Sequence, residues 1–120
     1  MIGIVIPAHN EEHHIAACLT SVLFAAAHPA LAGQPVSVVV VLYDCSDQTG
    51  QIVSANGVTG IEASFQSVGK ARATDADHLL AAGAEWLAFT DADTAVPHDW
   101  LARQIEFKLM QSMKQSRWGG

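Results

Sequence analysis

Apolar residues in this chain fall into two kinds of run: short β-branched stretches that end at polar clusters, and longer stretches with helical spacing. Ile2 to Ile6 is a first strand, broken by Pro7-Ala8-His9-Asn10. Glu11 and Glu12 then open a helix whose apolar positions, Ile15, Leu19, Val22, Leu23 and Ala26, share one face. Asn10 is read as its N-cap, with the glutamates in the first turn, where the helix dipole favours negative charge. His28-Pro29 stops the helix, and Gly33-Gln34-Pro35 is a loop. Val36 to Tyr43 is nearly unbroken valine and leucine, as expected of a central parallel strand covered on both faces. It leaves through Asp44-Cys45-Ser46-Asp47-Gln48-Thr49, where Asp47 or Ser46 caps a short helix reaching Asn56-Gly57. A weaker third strand lies near Val58 to Ala63. A third helix opens around Ser67 to Arg72 and closes at Gly83. Trp86 to Thr90 is a fourth strand that stops at Asp91-Ala92-Asp93. Pro97 to Met113 is a last helix with Leu101, Ile105 and Leu109 inward, and residues 114–120 read as a frayed tail.

The order β-α-β-α-β-α-β-α calls for an α/β fold, a doubly wound, Rossmann-like parallel sheet with right-handed crossovers, in one domain over residues 1–113. Three polar exits, Pro7 to Glu12, Asp44 to Thr49 and Asp91 to Asp93, leave the C-terminal ends of strands. That rim is where such sheets bind ligands. An isolated D-x-D serves equally well to cap the following helix. If the chain stays extended there, Asp91 and Asp93 point the same way about 6.6 Å apart. Their charges then repel by roughly 2.5 kcal/mol at an effective dielectric of about 20, and a divalent cation between them reverses the sign. Asp44 precedes the cap and has no local structural duty.

Charge sharpens this picture. Residues 1–102 hold eleven acids and only two bases, Lys70 and Arg72, whereas the last eighteen residues carry four bases and one acid. So acidic a body argues against sequence-independent binding of nucleic acid. Lys70 and Arg72 sit in the first turns of the third helix, where the dipole disfavours cations, so a bound anion would compensate their placement. Cys18 and Cys45 form neither a disulfide framework nor a C-x-x-C, which favours a reducing, cytoplasmic setting. No signal sequence is visible, and no apolar stretch is long enough for an integral membrane segment.

Together these residues resemble the nucleotide-sugar glycosyltransferases of family two, which have the GT-A fold. The likeness rests on Val5-Ile6-Pro7-Ala8-His9-Asn10-Glu11-Glu12, the D-x-S-x-D-x-T-like stretch from Asp44 to Thr49, Gly69-Lys70-Ala71-Arg72-Ala73, and Phe89-Thr90-Asp91-Ala92-Asp93. It covers nearly the whole chain but only the N-terminal, donor-binding half of such an enzyme, a truncated GT-A sheet. The resemblance implies an inverting transferase that moves a sugar from a nucleoside diphosphate, most often UDP, to an acceptor hydroxyl. Pro7, Ala8, Glu12 and Asp44 would line the nucleoside pocket, and Lys70 and Arg72 would face the phosphates. Asp91 would meet the ribose and metal, and Asp93 would ligate Mn2+ or Mg2+ directly. No general base is identifiable, and Asp75 stands where the family more often has Asn or a small residue. The alternative is a module that binds the nucleotide-sugar without transferring it, with a second copy or a partner chain covering an apolar face. A response-regulator-like phosphoacceptor domain fits poorly, because no aspartate follows the third strand and no fifth strand exists to carry a lysine.

Overall fold

The computed structural model describes residues 1–63 and 79–118. Strands β1 (Ile2–Ala8), β2 (Val36–Tyr43), β3 (Thr59–Ala63) and β4 (Trp86–Phe89) form one parallel sheet in the order β3-β2-β1-β4. Helices α1 (Ile15–Ala26), α2 (Thr49–Ala55) and α3 (Trp100–Trp118) accompany it, with a 3-10 turn at Pro29–Leu31. Both central strands send alternate residues to opposite faces. Ile2, Ile4, Ile6 and Ala8 join Val40 and Leu42 against Ile15, Leu19, Val22 and Leu101. Val5, Val39 and Val41 meet Leu79 and Ala84 on the other side. A strand buried on both faces needs apolar residues at every position, which is why β2 is unbroken from Val38 to Leu42.

The order of the strands locates the rim crevice. From β1 the chain steps outward to β2 and β3, then returns to the far side of β1 to form β4, so the winding reverses between β1 and β4. Pro7 sits inside β1 although a proline lacks the amide that a central strand needs. Val5 accepts from Thr90 N–H on the β4 side (3.4 Å). Pro7, two residues on, faces the same side beyond the end of β4, so its missing donor has no partner strand to disappoint.

Several expected boundaries move. The first helix begins at Ile15, not at Glu11, because residues 11–14 form a separate turn in which Glu11 O accepts from His14 N–H and Ile15 N–H (3.0 and 2.8 Å). Asn10 is not its N-cap: its backbone is left-handed (φ 49°) and its side chain is committed to Ser46. On α1, Cys18 and Ala25 are buried and Leu23 is exposed. Pro97 belongs to a turn closed by Trp100 N–H, and α3 then runs to Trp118, so the tail expected from 114 onward is helical that far. Leu109, expected inward, is exposed. At 1.5 Å per residue α3 is about 28 Å long, against about 23 Å for the seven residues of β1, and it outruns the core it packs on.

Candidate active site at the strand exits

Where β1 and β2 end, both chains turn through the left-handed region, at Asn10 (φ 49°) and Asp44 (φ 48°). Asparagine and aspartate tolerate that conformation better than other residues with a Cβ, for which it costs about 1–2 kcal/mol. Four side chains then stitch the two exits together. Asn10 Oδ1 accepts from Ser46 N–H (2.8 Å), and Glu12 Oε2 accepts from Gln48 N–H (3.1 Å). In the other direction, Thr49 Oγ1 accepts from Glu11 N–H (2.9 Å) and Asp47 Oδ2 accepts from Glu12 N–H (3.2 Å). Thr49 is fully buried, and its hydroxyl also donates to Asp47 Oδ1, which accepts in addition from Thr49 N–H (2.9 Å). Partial burial opposes ionisation of Asp47, but the donors from Thr49 and from Glu12 N–H outweigh it and hold the carboxyl below its ordinary range.

The residues expected to line the nucleoside pocket differ in what they present at the rim. Ala8 is buried with its side chain in the core, and its carbonyl accepts from Cys45 Sγ (3.5 Å), so it can offer a ligand only backbone. Pro7 is likewise buried in β1. Glu12 is turned toward the start of α2 by its bond to Gln48. Asp44 is exposed at the mouth, its N–H donating to Ala63 O (3.3 Å) at the end of β3. His9 stacks on Tyr43 (ring centroids 5.5 Å) and donates from Nδ1 to Tyr43 O (2.9 Å). Lys70, Arg72 and Asp75 lie outside the described residues.

On the β4 side the D-x-D does not stay extended. Thr94 N–H donates to Asp91 O (3.1 Å), closing a turn that exposes both carboxylates and buries Ala92 between them. Asp93 Oδ1 accepts from the Thr94 hydroxyl (3.2 Å). Cys18 of α1 lies beneath this turn and donates from Sγ to Asp91 O (3.5 Å). Its thiol is pushed up to about 11, first by burial and then by the charges of Asp93, Asp91 and Glu11. Cys18 is therefore an inert packing residue, and its surroundings bring the first and last exits into one electrostatic neighbourhood. His98 stacks on Phe24 (3.9 Å) and neighbours His28 (4.5 Å), so it is engaged in packing at the foot of α3. Among the described residues, no three His, Cys, Asp or Glu side chains gather closely enough to hold a metal ion by themselves. Two exposed carboxylates in a turn nonetheless suit a hard cation whose remaining ligands are diphosphate oxygens and water.

Sequence reasoning placed Thr49 in the second exit without giving it a role, and missed Cys18 as part of this rim. The D-x-T spacing from Asp47 was the available signal for Thr49, whereas nothing local marks Cys18 as the residue under the D-x-D.

Known proteins share this fold. Residues 3–109 match the family model described as glycosyl transferase family 2. Among solved structures, S. aureus TarS 1-349 is 28% identical with a TM-score of 0.64, over 88% of this chain and 31% of that one. The same TarS fragment solved in complex with UDP gives 26% identity and a TM-score of 0.63 over the same shares. Glucosyl-3-phosphoglycerate synthase from Mycobacterium tuberculosis, in complex with Mn2+, UDP and phosphoglyceric acid, shares the fold at 22% identity and a TM-score of 0.56, over 77% of this chain and 32% of that one. The chain thus spans about a third of the length of these neighbours. Among curated protein sequences nothing matches. A four-stranded parallel GT-A sheet with its acidic strand exits on one rim, matched over residues 3–109, places this chain in glycosyl transferase family 2.

Proposed function

We propose that the chain holds a UDP-sugar at the strand exits and serves transfer of the sugar to an acceptor hydroxyl, with inversion. The observation that supports this best is the convergence at one rim of the stitched β1 and β2 exits with the exposed Asp91 and Asp93. The neighbours solved with UDP, and with UDP and Mn2+, support the choice of nucleotide and metal. In this reading Asp44 accepts the imide N–H of uracil, and the backbone at Pro7 and Ala8 borders the base. Asp91 meets the ribose, while Asp93, with Asp91, holds Mn2+ or Mg2+. Lys70 and Arg72 face the diphosphate, where their charge offsets that of the leaving group. When bound, the cation supplies charge neutralisation for the departing nucleoside diphosphate. Glu12 keeps the first exit in place through Gln48 rather than touching the ligand. No residue is assigned as general base.

The exposed apolar residues of α3 favour a second reading, in which this chain binds the donor and a partner completes the acceptor side. Calorimetric titration with UDP, with and without Mn2+, tests the common part. We expect binding that requires Mn2+ and that Asp93→Ala abolishes, and no response to UDP under either condition would remove the donor reading. Release of free sugar or transfer from UDP-glucose by the chain alone separates the first reading from the second.

A further inference from the structure

The stitching of the two exits is reciprocal, each loop using side chains to hold the amides of the other, and one residue carries it from inside. Among the described residues Thr49 is the one buried polar side chain. Its hydroxyl both accepts from Glu11 N–H and donates to Asp47, so this buried oxygen is matched within the protein. We propose that Thr49, acting with Asp47, is the positioning residue of the donor pocket. By fixing the amides of Glu11 and Glu12, it sets the course of the β1 exit against Asp44 and so controls affinity for the nucleoside. This inference rests on the donor reading above and adds to it a residue that touches no ligand.

A simpler role for Thr49, opening α2, belongs to other atoms. At the start of α2, whose N-cap is Gln48, Asp47 Oδ1 accepts from Thr49 N–H, a backbone donor that any residue but proline keeps at position 49. Thr49→Val has nearly the same shape and preserves that bond. It removes only the hydroxyl, leaving the Glu11 amide without its acceptor and Asp47 without one of its donors. Thr49→Ser restores the hydroxyl. Val53→Ala weakens α2 by removing buried methyl groups on the same short helix while leaving every bond between the exits intact.

The test is UDP affinity in the presence of Mn2+ for the wild-type chain and these three variants, each with its thermal midpoint. A lost hydrogen bond that orients a loop corresponds to about a tenfold weakening. We expect that loss for Thr49→Val, affinity within about twofold of wild type for Thr49→Ser, and unchanged affinity for Val53→Ala despite a lowered midpoint. Wild-type affinity in Thr49→Val overturns the positioning role and leaves the donor reading standing. The positioning role also falls if Val53→Ala loses as much affinity as Thr49→Val, or if serine fails to rescue. A wild-type chain that binds no UDP removes the donor reading, and this inference with it.

Discussion

Asp47 contributes more stability ionised than protonated. Burial works against that charge, but hydrogen bonds from the Thr49 side chain, Thr49 N–H and Glu12 N–H favour it and lower its pKa from the ordinary 3.8. The sign follows from linkage. A carboxyl with a depressed folded-state pKa stabilises the fold fully above its unfolded value, and loses that contribution as pH falls through the folded value. Asp47→Asn is therefore expected to be less stable than wild type near neutrality, with the gap closing in acid below the ordinary aspartate range. Denaturant midpoints at neutral pH and in acid check this, and a gap that stays constant would refute it. The sequence marks Asp47 as the cap of α2, but the N-cap is Gln48 and Asp47, one residue further out, accepts from Thr49 N–H; the partner it holds from the first exit was not legible. That partner is a backbone amide 35 positions away, and no periodicity encodes a bond from a side chain to a distant main chain.

Among the described residues, the end of α2 at Gly57 and the helical turn that starts at Leu79 close in the same way. At Gly57 (φ 72°), Gly57 N–H donates to Ser54 O and Val58 N–H to Val53 O; at Gly83 (φ 102°), Gly83 N–H donates to Leu80 O and Ala84 N–H to Leu79 O. This is the Schellman arrangement, and in each case the residue after the glycine joins the same apolar cluster as the one whose carbonyl it caps: Val58 with Val53, Ala84 with Leu79. Gly57→Ala and Gly83→Ala each place a Cβ in the left-handed region and are expected to cost about 1 kcal/mol, measured by denaturant unfolding, with UDP affinity unchanged. These ends, like the β2 span Val36–Tyr43, were legible because they depend on local rules of conformation and burial. The start of α1 was not. Asn10 and the glutamates have a cap's composition, but the neighbouring exit captures them first.

Taken as one body, the protein shows the solvent large apolar residues on α3, with Phe107 58% and Met113 71% exposed, and Phe89 at the open edge formed by β4. Exposed apolar stripes of this kind associate. The isolated chain is expected to sediment with a concentration-dependent mass that Phe107→Glu lowers toward the monomer; a monomer at every concentration would contradict this. The rim carries a different consequence, one of time rather than affinity. Its four bonds join segments 35 to 38 positions apart, so they can close only after β1 and β2 have found their register. Interactions made after the folding barrier leave the rate of folding nearly untouched and slow the rate of unfolding. The clasp between the exits is thus expected to act as a latch on the lifetime of the folded molecule, engaged last and released first, so that Thr49→Val speeds unfolding more than it slows folding.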